Sequence, residues 1–295
     1  MSASSGAEGA RRPAGVEIVV ARYAGYCYGV ERALKIAEEA GVSLPAPIHT
    51  LGPIIHNPSV VERLARRGIA PVGALDEIER GSVIVRTHGV PPAVIERARR
   101  RGLKVIDATC PFVTVAQRKA SELRERRYVP VILGERDHPE VAGLKACAGE
   151  QAIVVEDAGE LPLGGVKGRR VGVVVQTTQT RETLAQLVAT IAPLARELLV
   201  FNTICDATEK RQAEARRLAA RVDAVVVVGG RNSANTTRLA RMCAAIQPRT
   251  THIESAGELR AEWFDGCRRI GVAAGASTPE DEIEATVERI RELLG

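Results

Sequence analysis

The sequence predicts an α/β protein made of three similar units with parallel sheets, arranged as a pseudo-threefold trefoil. Three observations predict it. Apolar, strand-like runs alternate with amphipathic helical patterns along the chain, the order expected of parallel sheets with helical crossovers. One local element (strand, polar turn, cysteine, helix) occurs three times, at steps of 83 residues from Cys27 to Cys110 and 95 residues from Cys110 to Cys205. Two further strand-and-polar-loop pairs follow each cysteine, which makes the repeat long and the units equivalent.

In chain order, a tail over 1–15 (MSASSGAEGARRPAG) reads as disordered and lacks the apolar stretch of a secretory signal. The first unit, 16–109, opens on Val16, Ile18, Val19 and Val20 and turns through Ala24-Gly25-Tyr26 to Cys27. A helix follows with Val30, Ala33, Leu34 and Ala37 on one face, at i, i+3, i+4 and i+7. The second unit, 110–204, begins after the run Lys104–Asp107 and the turn Ala108-Thr109, with Cys110, Pro111 and a helix carrying Val113, Ala116 and Ala120. Proline just inside a helix start is pre-organised for that position, so Cys110 stands at a helix N-terminus. The third unit, 205–295, follows Leu198–Phe201 and starts at Cys205, with Ala215, Leu218, Ala219 and Val222 as its apolar face. A helix N-terminus lowers a thiol's pKa, so all three cysteines are expected to favour thiolate.

Each unit then carries two polar loops. The first falls 29, 28 and 28 residues after the cysteine and contains His56 (IIHNP), His138 (ERDHPEV) and Ser233 (GRNSANT). The second, after another strand, contains His88 (VRTHGV), Thr177 (VVQTTQT) and Ser277 (AAGASTP). Ligands of parallel α/β sheets bind beyond the carboxyl ends of the strands, where all these residues fall. With threefold packing, Cys27, Cys110 and Cys205 converge and the polar loops line a cavity around them. Gly159–Gly168 is rich in glycine and proline and reads as a loop inside the second unit. The arginine runs Arg97–Arg101 and Arg124–Arg127 read as solvated helix ends.

Composition narrows the function. In 295 residues, 45% hydrophobic and 26% charged content is that of an ordinary globular protein, and no apolar run reaches the ~20 residues of a membrane span. Aromatic content of 3% argues against a base-stacking nucleic-acid platform, and a net charge of +5 suits an anionic small molecule. Six cysteines without a secretion signal point to a reducing, cytoplasmic setting, where thiols are buried, catalytic or metal-binding.

No zinc spacing and no C-x-x-C motif occurs. Three cysteines from three distant loops can instead hold a 4Fe–4S cluster through three irons and leave the fourth open to a substrate. Cys147, Cys243 and Cys267 have no equivalent placement and read as structural. His56, His88, His138, Thr177, Ser233, Asn235 and Ser277 form a donor-rich, largely uncharged lining that suits a diphosphate or another polyoxyanion. His49 and His252 do not fit the repeat. Glu140 is the one loop carboxylate with a mechanistic reading, as an acid near an electron-rich centre. Its alternative is an ordinary charge at a helix N-terminus.

The motifs GYCYGVERA, HNPSVVERL, THGV, DATCP, HPEVAG, QTT, TICDAT-KRQ, VVGGRNSANT and AGAST, in that order, cover Gly25 to Ser277. By them the chain resembles the 4-hydroxy-3-methylbut-2-enyl diphosphate reductases, which act last in the methylerythritol phosphate route to isoprenoids. The resemblance implies a trefoil around one 4Fe–4S cluster with Cys27, Cys110 and Cys205 as ligands. It implies substrate contacts from His56, His88, His138, Thr177, Ser233, Ala234, Asn235 and Ser277, largely around the diphosphate. It also implies Glu140 as the acid that delivers protons, helped by Thr177. The substrate oxygen would bind the open iron, and two electrons and two protons would remove it as water. A ferredoxin or flavodoxin is the implied electron donor, with neither nucleic acid nor membrane as partner. Ala234 is a departure, because the family commonly has a second serine there in N-S-S-N. Two other readings stay open: a different three-cysteine cluster enzyme resembling quinolinate synthase, and a non-catalytic metal- or anion-binding protein.

Overall fold

A computed structural model describes residues 15–295, and the predicted tail lies outside the described residues but for Gly15. The chain opens with β1 (Glu17–Val20) and α1 (Tyr28–Ser43). It continues with β2 (Ile48–Leu51), α2 (Pro58–Ala65), β3 (Ile69–Val72), β4 (Ser82–Val85), α3 (Pro92–Arg100) and β5 (Lys104–Asp107). The middle of the chain forms α4 (Pro111–Glu125), β6 (Val129–Leu133), α5 (Pro139–Ala148), β7 (Ile153–Val155), α6 (Leu163–Val166), β8 (Arg170–Val175), α7 (Arg181–Ile191) and β9 (Glu197–Phe201). The last part forms α8 (Asp206–Ala219), β10 (Ala224–Val228), α9 (Ala234–Ala244), β11 (Thr250–Ile253), β12 (Arg269–Ala274) and α10 (Glu280–Leu294).

Among the described residues these strands make three four-stranded parallel sheets, ordered β3-β2-β4-β5, β7-β6-β8-β9 and β1-β12-β10-β11. The central strands β4, β10 and β12 are buried almost throughout, as an apolar run covered by helices on both faces must be. Each sheet accordingly has two apolar cores, one per face: Ile84 with Ala33 and Ala37 against Val83 with Leu103 in the first, and similar pairs in the others. The helical faces read from the sequence are buried as expected, except that Val222 packs into the third core from beyond the end of α8.

One boundary differs from the sequence reading. The sequence pattern places residues 16–20 in the unit 16–109, but β1 pairs with β12, Ile18 opposite Ile270 and Val20 opposite Val272. The N-terminal strand thus closes the third sheet, as β5 closes the first and β9 the second. An edge strand carries no mark of its partner, since Val and Ile alternation fits any parallel edge. The consequence is symmetry: each cysteine follows the edge strand of one sheet and starts the helix leading to the next.

Candidate active site

Cys27, Cys110 and Cys205 are the N-cap residues of α1, α4 and α8, and none of the three uses its side chain to cap the helix. Serine, aspartate or asparagine would normally fill such a position and bond to it. Here none of the three sulfurs is tied up in a disulfide. The backbone repeats the same tie three times. The N–H groups of Cys27, Cys110 and Cys205 donate to the carbonyls of Ala276 (3.1 Å), Thr87 (2.9 Å) and Thr177 (3.1 Å). Each accepting residue stands two positions beyond the end of β12, β4 or β8. The sulfurs approach closely at Gly29, where a Cβ would lie 2.6 Å from Cys110 Sγ and 3.9 Å from Cys27 Sγ. Only glycine leaves that room.

At Cys110 and Cys205 desolvation works against the expectation that a helix N-terminus favours thiolate. Burial pushes the Cys110 thiol up to about 11, although the Phe112 and Val113 N–H groups work the other way. Cys205 is raised by the same cause, against hydrogen bonding from Thr208, whose Oγ1 lies 3.2 Å from the sulfur. Desolvation outweighs the helix end here. Without a cation to hold them, the Cys110 and Cys205 thiols stay protonated at neutral pH, and a bound metal would displace the protons.

The polar loops close over the sulfurs. One cavity is lined by all twelve residues singled out in the sequence: the three cysteines, His56, His88, His138, Glu140, Thr177, Ser233, Ala234, Asn235 and Ser277. The three imidazoles touch, with ring centroids 4.3 Å apart for His56 and His88, 5.2 Å for His88 and His138, and 5.6 Å for His56 and His138. All three are held neutral. Burial, with the Arg86 charge adding, pushes His56 down to about 4. Burial, with His56 and the Arg86 and Arg238 charges, takes His138 down to about 3. Burial also pushes His88 well below the ordinary histidine range. The Glu140 N–H donates to His138 Nδ1 (3.1 Å), so the neutral ring carries its proton on Nε2.

These pKa values predict a pH dependence. An unfolded histidine titrates near 6.5. Its folded pKa is depressed, so its contribution to stability is present above about 6.5 and lost as pH falls through the folded values. Glu140 acts with the opposite sign between about 4.5 and 7, but it is one group against three. Thermal stability is therefore expected to fall as pH drops from about 6.5 towards 4, and less so with inorganic diphosphate, whose charge favours the imidazolium forms. A His56→Gln variant with an unchanged pH slope would contradict this.

Glu140 is 1% exposed, in the first turn of α5, and so is no surface charge. Burial pushes it up to about 7, against two opposing hydrogen bonds from Thr177. The Thr177 N–H donates to Oε1 (2.7 Å) and Thr177 Oγ1 donates to Oε2 (2.9 Å). Because an N–H can only donate, a proton on this carboxyl belongs on Oε2, next to a hydroxyl that can pass it on.

Several polar atoms around the cavity are buried with no partner: both ring nitrogens of His56, both amide atoms of Asn235 and Thr178 Oγ1. Each unpaired buried group costs about 1–3 kcal/mol, so such a cluster marks a place for a polar ligand. Ser233 Oγ accepts the Thr236 N–H and keeps its own proton to donate, and Ser277 Oγ donates to the His56 carbonyl (3.1 Å). Thr178 is missed by the sequence reading, which put Thr177 level with His88 and Ser277. Counted from the strand ends, His88, Thr178 and Ser277 each stand three residues on; both threonines line the cavity, but Thr177 Oγ1 is bonded to Glu140 and Thr178 Oγ1 has no partner. Arg86 and Arg238 are missed as well. Arg86 has no hydrogen-bond or ion-pair partner among the described residues, and Arg238 donates to the Thr178 carbonyl (2.7 Å) and Glu135 Oε1 (2.8 Å). The other cysteines, Cys147, Cys243 and Cys267, are buried core residues, and His252 Nε2 contacts the Gly229 carbonyl away from the site.

Fold and site together define a class: a three-lobed α/β protein with one central cavity that joins a trithiol tripod, neutral histidines and a buried, protonatable acid. The chain belongs to the LytB protein family, whose profile matches residues 18–291. It is 50% identical over 281 residues to the 4-hydroxy-3-methylbut-2-enyl diphosphate reductase of Geobacter sulfurreducens, covering 94% of this chain and 98% of that protein. The reductase of that name from Aquifex aeolicus is 45% identical over 284 residues, covering 94% and 97%. A solved (E)-4-hydroxy-3-methyl-but-2-enyl diphosphate reductase, titled the terminal enzyme of the non-mevalonate pathway, is 44% identical with a TM-score of 0.68 over 94% of this chain and 99% of that one. A solved E-1-hydroxy-2-methyl-but-2-enyl-4-diphosphate reductase from Plasmodium falciparum is 26% identical with a TM-score of 0.84, covering 93% and 87%.

Proposed function

We propose that this chain reductively dehydroxylates 4-hydroxy-3-methylbut-2-enyl diphosphate to isopentenyl and dimethylallyl diphosphates. The observation that carries the reading is the convergence of three N-cap thiols, three neutral histidines and one protonatable carboxyl on a single cavity. Atoms and electrons balance with two electrons and two protons: the allylic C–O bond breaks, one C–H bond forms and water leaves. The thiols, free of disulfide and of capping bonds, fit a 4Fe–4S cluster held by Cys27, Cys110 and Cys205. When bound, it supplies one-electron reduction and an iron without a protein ligand.

The chain's own groups do the rest. The diphosphate is bound by donors from three lobes: His56, His88 and His138, the hydroxyls of Ser233 and Ser277, the amide of Asn235, and Thr178. Arg86 and Arg238 add positive charge from behind this lining, where a low dielectric strengthens it. Neutral imidazoles can also take up protons as the anion arrives. Glu140 holds the proton at Oε2 that the departing oxygen needs, and Thr177 fixes which oxygen carries it. A buried acid of this kind has no use in a passive metal- or anion-binding module, and the relatives reported above are named as diphosphate reductases, which supports the main reading over a quinolinate synthase-like one. The electron donor we propose is a ferredoxin or flavodoxin.

The test is a turnover assay on protein purified without oxygen, supplied with a low-potential reductant and the hydroxylated diphosphate. Formation of the two C5 diphosphates is expected, and a cluster-loaded protein that makes neither overturns the reading. A smaller effect is expected at Ala234, which occupies the first turn of α9 beside Ser233. Ala234→Ser adds a hydroxyl to the lining, and the affinity for diphosphate is expected to rise several-fold, about 1 kcal/mol for one net hydrogen bond. Calorimetric titration with inorganic diphosphate checks it.

A further inference from the structure

Arg211 lies in α8, two turns from Cys205, and is 7% exposed. Its Nη2 donates to the Gly25 carbonyl (2.6 Å) and its Nη1 to the Ala207 carbonyl (3.2 Å), while Nε is buried with no partner. Gly25 is two residues before Cys27 and Ala207 is in the first turn of α8, two residues after Cys205, so one guanidinium ties the start of α8 to the loop that leads to Cys27. No carboxylate pairs with it among the described residues. The acidic side chains within its electrostatic reach are those of Cys27, Cys205 and the exposed Glu31. A fully charged guanidinium is expensive to bury unless an opposite charge offsets it. Glu31 is solvated and makes no ion pair with it among the described residues. The missing negative charge belongs at the sulfur tripod.

We propose that Arg211 is a fixed counter-charge that raises the reduction potential of the cluster at the tripod. The inference rests on the reading of Cys27, Cys110 and Cys205 as cluster ligands. Reduction adds one negative charge to a centre already anionic through its thiolates. A nearby fixed cation stabilises the reduced form more than the oxidised form, and net charge around a cluster is one of the levers on its potential. Arg211 touches neither substrate nor reacting atoms, so it is a positioning residue.

The experiment is a redox titration of the anaerobically purified protein, followed by the electron paramagnetic resonance of the reduced state. It compares wild type with Arg211→Gln, Arg211→Met and Arg211→Lys, with iron and sulfide measured in each. At the wild-type midpoint potential, the reduced-to-oxidised ratio is expected to fall about tenfold in the Gln and Met variants, equal to about 59 mV for one electron. The Lys variant keeps the charge and is expected to stay within about threefold of wild type. Iron and sulfide content in each variant shows whether the cysteine loops still hold a cluster when the tie to the Gly25 carbonyl is gone. An iron-replete Gln variant with an unchanged ratio overturns the proposal, and so does a Lys variant that falls as far as Gln, since packing would then be the cause. Wild-type protein that holds no iron overturns the cluster reading itself, a different outcome from either.

Discussion

Glu140→Gln is expected to lower kcat by roughly 10²–10⁴-fold, the usual weight of a positioned general acid. The amide matches the carboxyl in shape: its oxygen can accept the Thr177 N–H, and its NH2 can donate to Thr177 Oγ1. Fold, iron content and KM are therefore expected to change little. What goes is the proton on Oε2. The pH profile separates this role from a packing role. Glu140 is pushed up to about 7, so its protonated fraction falls as pH rises through that value. Wild-type kcat is expected to decline on the alkaline side at or above about 7, since negative charge brought to the tripod raises this pKa further. The residual rate of the Gln variant lacks that limb. A variant within a few-fold of wild type, or one that keeps the limb, takes Glu140 out of the proton path.

Cys110→Ser is expected to abolish stable cluster binding and to cut turnover by more than about 100-fold, beyond what loss of an outer-shell partner brings. The reasoning is geometric. Cys110 sits on the first residue before α4, its N–H tied to the Thr87 carbonyl and its sulfur packed against Gly29. A serine keeps the backbone tie and the volume but offers a harder, more basic oxygen that iron–sulfur clusters do not favour. Iron content and the visible spectrum report the loss, and circular dichroism checks that the fold persists. The same result is expected at Cys27 and Cys205, because the tripod has three equivalent legs. By contrast, Cys243→Ala removes a core thiol far from the cavity and is expected to cost stability and no iron.

Much of this arrangement was legible in the sequence because the threefold repeat makes each reading three observations instead of one. A single cysteine before a helix is ambiguous. Cys27, Cys110 and Cys205 at matching places in strand–turn–helix elements are not, and the loops bearing His56, His138 and Ser233 follow at nearly constant spacing. Buried strands such as Ala224–Val228 announce themselves by unbroken β-branched runs. What stayed hidden has physical reasons too. The partner of β1 is set by packing of the chain ends, which local pattern does not encode. Thr178 was lost to a one-residue register. Arg86, Arg211 and Arg238 were missed because arginine on a helix or at a strand end usually means a solvated surface, and only tertiary contacts reveal a buried one. The raised pKa of Cys110 and Cys205 is hidden for the same reason: helix ends are visible in a sequence, whereas desolvation is not.

The central claim is that three cysteines hold a 4Fe–4S cluster and leave one iron for the substrate. Mössbauer spectroscopy of ⁵⁷Fe-loaded, anaerobically prepared protein tests it most directly, with and without 4-hydroxy-3-methylbut-2-enyl diphosphate. One iron site distinct from the other three is expected, and the signal of that site alone is expected to shift when the diphosphate is added. Four equivalent irons, or a spectrum indifferent to the substrate, would contradict it.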